Sequence, residues 1–203
     1  MYEIELKAHI YNRKETIKIL NTFANYVGFF QKHDSYYKLQ KQNSNDFISV
    51  RIRKELSKQE QNISEKIYLT YKQKELKNTS DGTKIEVNNE KECELSNSET
   101  VISILLDTGF YEYLSKSKTV EKFTYQTPFG ISTIEICTIP PIGDFIEIEI
   151  LNDSNNESNV DNIRKEILSI LEKCNIPQSQ IEEKFYSQLL KEANSTIIKN
   201  KNF

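Results

Sequence analysis

The residues best suited to chemistry stand at alternate positions near the start of the chain, in Glu3-Ile4-Glu5-Leu6-Lys7. Side chains alternate along a strand, so Glu3, Glu5, Lys7 and His9 share one face, and Tyr2, Ile4, Leu6, Ala8 and Ile10 share the other. Carboxylates two residues apart on an extended chain lie about 7 Å from one another. Two hard oxygen donors followed by an ammonium suit a divalent cation and a phosphate together. The pattern recurs. Arg51 and Arg53 alternate with Val50 and Ile52, and Lys72 and Lys74 with Tyr71. Glu90, Glu92 and Glu94 share one side of a run, as do Lys116, Lys118 and Lys122 of another, and Glu147 and Glu149 alternate with Ile146, Ile148 and Ile150. One charged stripe is ordinarily a solvated face; stripe after stripe needs another account.

The elements that carry these stripes follow from periodicity and breakers. Asn12 caps a helix from Arg13 to about Tyr26, with Ile17, Leu20, Phe23, Ala24 and Val27 on its buried face and Gly28 ending it. Strands are predicted over 29–39, 47–54, 67–74, 84–95, 113–126, 129–138 and 145–151, besides the first. Between them lie a polar turn at 40–46, a loose loop over 55–65 and a turn at Ser80-Asp81-Gly82. Ser98 starts a second helix that Gly109 stops. Pro140-Pro141 breaks the chain, a third helix covers about 160–173, and Pro177 opens a last helical stretch containing Phe185, Tyr186, Leu189 and Leu190. Residues 1–193 read as one domain, with a frayed tail from Asn194.

Amphipathic helices need apolar sheet surface to cover. If they lie outside a sheet that closes on itself, the charged faces must line its interior. The expected fold is therefore α+β: an antiparallel eight-stranded tunnel barrel, closed or nearly closed, with a charged interior and helices packed outside. Such a lumen avoids a prohibitive desolvation cost only when hydrated and paired, or when filled by ligand. Acids and bases in one tunnel describe a site for a polyphosphate with Mg²⁺ or Mn²⁺.

Composition narrows the field. At 203 residues the chain can bury a real core, and its net charge of −3 argues against nucleic acid as the main partner. No apolar run nears the roughly 20 residues of a membrane helix, and the first residues are charged rather than signal-like. Cys93, Cys137 and Cys174 have neither metal spacing nor an even count, which points to a reducing, cytoplasmic setting. His9 and His33 read as structural, and Cys137 as a small buried filler. The aromatic residues form no stacking motif of the single-strand-binding kind.

Taken in order, these segments resemble the CYTH superfamily, which groups class IV adenylyl cyclases with triphosphatases. Glu3-Ile4-Glu5-Leu6-Lys7 is similar to its ExExK signature, and Asp34-Ser35-Tyr36-Tyr37 to its D-x-Y-aromatic segment. Val50-Arg51-Ile52-Arg53 resembles the paired-arginine strand, Leu69-Thr70-Tyr71-Lys72 a strand ending in a phosphate-binding lysine, and Glu92-Cys93-Glu94 the central E-x-E. Ile142-Gly143-Asp144-Phe145-Ile146-Glu147-Ile148-Glu149 resembles the L-G-x-F-x-E-x-E segment, and Tyr186-Ser187 with Leu189-Leu190 the C-terminal helix. The resemblance implies Glu3, Glu5, Glu147 and Glu149 as metal ligands. Lys7, Arg51, Arg53, Lys72, Lys118 and Lys122 would grip phosphate, and Glu92, Glu94 and Tyr36 are further candidates. Three positions depart from the family pattern: Val120 replaces an arginine, with Lys122 one step along; Cys137 replaces an aspartate; and Glu90 stands where a base is common.

The implied activity is that of a cytoplasmic adenylyl cyclase converting ATP to cyclic AMP and pyrophosphate. Glu5, Lys7, Arg53, Lys118 and Glu149 would be catalytic, with Mg²⁺ or Mn²⁺ bound. The alternatives are a triphosphatase acting on inorganic, nucleoside or thiamine triphosphate, and a triphosphate-binding module without turnover. Neither nucleic acid nor membrane is implied as a partner; a homodimer is compatible with the resemblance.

Overall fold

Closing the sheet satisfies every one of these alternating strands at once. In the computed structural model, which describes residues 1–42, 44, 46–59, 62–79, 82 and 84–200 (side chains at 59, 62, 74 and 196–200 excepted), eight strands form a closed antiparallel barrel. They are β1 (Tyr2–His9), β2 (Asn25–Gln40), β3 (Phe47–Gln59), β4 (Asn62–Asn78), β5 (Lys84–Leu95), β6 (Tyr111–Thr127), β7 (Gly130–Ile139) and β8 (Gly143–Asn152), ordered β1-β5-β4-β3-β2-β6-β7-β8. Helices α1 (Arg13–Leu20), α2 (Glu99–Asp107), α3 (Glu157–Lys173) and α4 (Tyr186–Asn200) lie outside it. None of the described helices is long and apolar enough to cross a membrane.

The main core is the outer face of β1, β7 and β8 under α3. Ile4, Leu6, Ala8, Ile134, Ile136, Ile146, Ile148 and Ile150 meet Val160, Ile163, Ile167 and Ile170. The spacing of those α3 residues is one helical stripe, and Asn156 Oδ1 accepts the Asn159 N–H to start it. A second cluster lies inside one end of the barrel: Phe30, Val120, Cys137, Ile139 and Phe145 pack with Leu190 of α4. That cluster forms an apolar floor under part of the cavity, with Leu114 and Tyr186 packed against it. A third cluster seats α2, through Leu105, on Tyr37 and Ile52 of β2 and β3.

Several boundaries differ from the sequence expectation. α1 ends at Leu20 rather than near Tyr26, because Asn25 and Tyr26 pair with Thr124 and Phe123 of β6. Gly28 is thus a register shift in β2 and not a helix stop. The loop expected over 55–65 is instead ladder, with Glu55 opposite Lys66, Ser57 opposite Ser64 and Gln59 opposite Asn62. Backbone pairing there extends a polar hairpin that side-chain patterning does not reveal. Pro177 precedes a short 3₁₀ turn, Gln178–Gln180, and the Glu182 N–H then donates to the Lys7 carbonyl at 2.9 Å, so α4 starts only at Tyr186. α4 also runs past Asn194, where a frayed tail is expected, to Asn200. The predicted turn residues Ser80 and Asp81, part of the 40–46 turn and the Lys74 side chain lie outside the described residues.

Candidate functional site

Barrel register fixes which charges meet. Glu5 of β1 stands directly opposite Glu149 of β8 on one side and Glu86 of β5 on the other. Like charges facing one another across a ladder are destabilising, and here three carboxylates form one row. Oxygens of Glu3, Glu5 and Glu149 lie within 4.8 Å of one another. Lys72 approaches Glu3 at 2.9 Å and Glu5 at 3.6 Å, but it is shared with Glu90 at 3.2 Å. Burial and the neighbouring carboxylates push Glu149 up to about 8; burial, outweighing Lys72, raises Glu3 to about 7.

Two other ion clusters line the same cavity, whose volume is about 420 Å³. On the β2–β3 wall, Arg53 Nε and Nη2 donate to Asp34 Oδ1 and Oδ2 at 2.6 and 3.0 Å, and Lys116 lies 3.3 Å from Oδ2. Asp34 has no solvent exposure, yet Arg53 and Lys116 overcome its desolvation and hold it well below the usual carboxylate range. Arg51 reaches Glu90 at 2.9 Å, Glu92 at 3.3 Å and Thr70 Oγ1 at 3.0 Å. Above the apolar floor, Lys118 contacts Glu135 at 3.0 Å and Glu147 at 2.8 Å, while Lys32 contacts Glu135 at 2.6 Å. Burial opposes the charges of Lys118 and Glu135, but their mutual attraction keeps both ionised.

The trio passes the test for a hard divalent cation: three carboxylate oxygens converge in a half-buried wall, and Lys72 beside them is shared with Glu90. Glu135, Cys137 and Glu147 also converge within 4.8 Å, but Lys118 and Lys32 already supply that cluster with positive charge. Cys137 is not a thiolate ligand in waiting, since burial, with Glu147 beside it, pushes its thiol well up.

Among the residues expected from sequence, Glu3, Glu5, Lys7, Tyr36, Arg51, Arg53, Lys72, Lys118, Glu147 and Glu149 line the cavity. Glu147 stands with Lys118, apart from the metal-competent trio. Three residues fall elsewhere. Lys122 shares the register row of Glu135 but is not among the lining side chains. Glu94 pairs with Lys66 at 3.1 Å, both about half exposed, and Glu92 meets the site only through Arg51 and Thr70. Val120, in place of the family's arginine, is fully buried in the floor, and Glu90 neutralises Arg51 and Lys72. Lys32, Glu86 and Glu135 belong to the site but are not among the candidates taken from sequence, and Lys116, part of the charged stripe of β6, lines it as well. The alternation Lys32-His33-Asp34-Ser35-Tyr36 carried the signal, as did the single acid in the apolar run of β7. His9 sits 3.2 Å from Glu182, and His33 meets Ser117 at 2.9 Å on an exposed surface.

Comparison with known proteins agrees with this fold. The CYTH domain profile matches residues 1–186. No curated protein sequence matches the chain. Among solved structures, PH1819 of Pyrococcus horikoshii OT3 superposes with a TM-score of 0.70 at 22% identity, covering 94% of this chain and 99% of that one. A Vibrio parahaemolyticus protein provisionally described as an adenylate cyclase gives 0.67 at 13% identity, covering 94% and 98%. HpAC1 of Hippeastrum, a provisional adenylyl cyclase with a dominant triphosphatase activity, gives 0.58 at 13% identity, covering 95% of each chain. At these identities the likeness is one of fold.

Proposed function

Since the chain belongs to the CYTH domain family, we propose that it is a metal-dependent enzyme that binds a triphosphate end-on in the barrel and hydrolyses its terminal phosphoanhydride. The observation that carries this reading is the row Glu86–Glu5–Glu149 beside Glu3: carboxylates forced opposite one another in a cavity whose other walls hold lysines and arginines paired with acids. Such an arrangement is costly for the empty protein and favourable only with cation and anion together. Glu3, Glu5 and Glu149 would hold Mg²⁺ or Mn²⁺. When bound, that ion supplies Lewis acidity and neutralises phosphate charge.

The γ-phosphate, the most charged end of the ligand, would be drawn to the buried lysines above the apolar floor. Lys118, Lys32 and Lys7 stand around that depth, and Arg53, Lys116, Arg51 and Lys72 flank the rest of the cavity. Their fixed positions stabilise charge that builds on the bridging oxygen as the bond from γ-phosphorus to that oxygen breaks. Water forms the new bond to phosphorus and its proton leaves with the orthophosphate. Asp34 and Glu135 hold Arg53 and Lys118 in place, so the cations are preorganised before substrate arrives.

Cyclisation of ATP to cyclic AMP and pyrophosphate is the second reading. It is favoured by two aromatic side chains on the cavity lining, Tyr36 and Tyr113, which could steady a nucleoside. Separating the products of ATP and of inorganic triphosphate incubated with Mn²⁺ decides between them. ADP with orthophosphate supports hydrolysis, and cyclic AMP with pyrophosphate supports cyclisation. Intact ATP and intact inorganic triphosphate after prolonged incubation would overturn both.

A further inference from the structure

We propose that the Tyr186 hydroxyl and Glu147 Oε1 together hold the water that attacks the terminal phosphorus; this rests on the hydrolytic reading above. Both side chains line the cavity, Tyr186 from the start of α4 and Glu147 from β8. Among the described residues, both oxygens are buried and neither has a hydrogen-bond partner. They are nonetheless neighbours: burial first, then the charge of Glu147, pushes the Tyr186 phenol well above its ordinary value. The phenol therefore stays protonated and donates, while the carboxylate oxygen accepts. A leftover donor and a leftover acceptor, both out of bulk solvent, are costly unless one small polar molecule bridges them.

Glu147 divides its carboxylate between two tasks. Its Oε2 accepts from Lys118 Nζ at 2.8 Å, which ties one oxygen to the phosphate-directed lysines and leaves Oε1 beside them. The Tyr186 ring is held by contacts that do not use its hydroxyl. It meets Phe145 edge-on, with centroids 5.1 Å apart and planes at 83°, and its centroid lies 4.9 Å from Lys116 Nζ and 5.6 Å from Lys7 Nζ. The chain leading to it is fixed as well, since the Glu182 N–H donates to the Lys7 carbonyl and Gln188 Oε1 accepts the Phe185 N–H, each at 2.9 Å. With Tyr186 donating to one lone pair of the water and Glu147 accepting one of its O–H groups, the second lone pair is aimed at phosphorus. The water oxygen bonds to the γ-phosphorus, and the bond to the bridging oxygen breaks with its electron pair going to that oxygen. The water proton leaves with orthophosphate. Cyclisation, whose nucleophile is a ribose hydroxyl, has no use for this water.

The test compares the full chain with Tyr186→Phe on inorganic triphosphate and on ATP, each with Mn²⁺. It reads kcat, KM and, by calorimetry, the affinity for a non-hydrolysable triphosphate analogue. Tyr186→Phe keeps the ring and its contacts and removes only the donor. Its kcat should fall on the order of 100-fold, as for a misplaced nucleophile, with KM and analogue affinity within about twofold of wild type. Because Glu147 holds the same water, adding Tyr186→Phe to Glu147→Gln should lower kcat by less than about threefold further. An unchanged kcat in Tyr186→Phe, with or without a raised KM, or fully multiplicative losses in the double variant, overturns the assignment and leaves hydrolysis standing. A wild type that releases no orthophosphate from either compound overturns the assignment together with the reading beneath it.

Discussion

Without divalent metal, the protein should lose stability as pH rises from about 5 to 8, and Glu149→Gln should remove much of that loss. Glu149 sits at about 8 and Glu3 at about 7 in the fold, against an ordinary value of 4.5. The folded state therefore binds their protons more tightly than the unfolded chain does. Their stabilising contribution is complete below about 4.5 and drains away as pH climbs through 7 and 8. Titrating alone, Glu149 would account for on the order of 5 kcal/mol. Its coupling to Glu3 and the access of water to the cavity reduce the pair to on the order of 2–3 kcal/mol. For a domain of this size that is a fall in Tm of roughly 5–10 °C. The assay is thermal unfolding by circular dichroism in EDTA across that range, repeated with millimolar Mn²⁺. Metal should lift the alkaline end of the curve most, by mass action on the folded state. A flat profile in EDTA, or an equal fall in Glu149→Gln, would refute the assignment of the carboxylate row as the source.

Other expectations follow from single contacts. Glu5→Ala should lower metal-dependent product formation at least on the order of 100-fold, since it removes one of the three converging oxygen donors; untouched turnover in the purified variant would eliminate the metal assignment. Arg53→Ala removes the bidentate partner of the fully buried Asp34, leaving it Lys116 and the attraction of Arg51, and denaturant titration should register a loss of about 3 kcal/mol. Val120→Arg, which restores the family's charge, should destabilise by on the order of 3 kcal/mol or more, because it places a guanidinium at a fully buried site packed with Phe30, Ile139 and Phe145. Ile163→Ala, at the centre of the α3 stripe, should cost about 2–5 kcal/mol in the same titration, with the cavity charges unaltered.

Much of the barrel was legible because alternation is a local property. The isoleucines of β8 and the ExExK run of β1 state which face is buried before any partner strand is known. What local pattern could not state was pairing. The row Glu86–Glu5–Glu149 exists only because β5 and β8 flank β1 in this register, and Glu86 gave no cue on its own. The polar β3–β4 hairpin was hidden for the opposite reason: backbone ladder forms there without an apolar face to announce it. Lys32 and Glu135 form an ion pair 103 residues apart in sequence, beyond the reach of any motif. Lys122 shows the converse error, since sharing a strand with Lys118 did not place it on the cavity lining.

The most direct measurement is calorimetric titration of a non-hydrolysable ATP analogue into the full chain, with Mn²⁺ and with EDTA, for wild type and Lys72→Met. Saturable one-to-one binding that needs the metal and weakens in Lys72→Met is the predicted result. Binding of equal strength in EDTA and in the variant would mean that the ligand sits outside the barrel, and the inward-facing charges would need a different purpose.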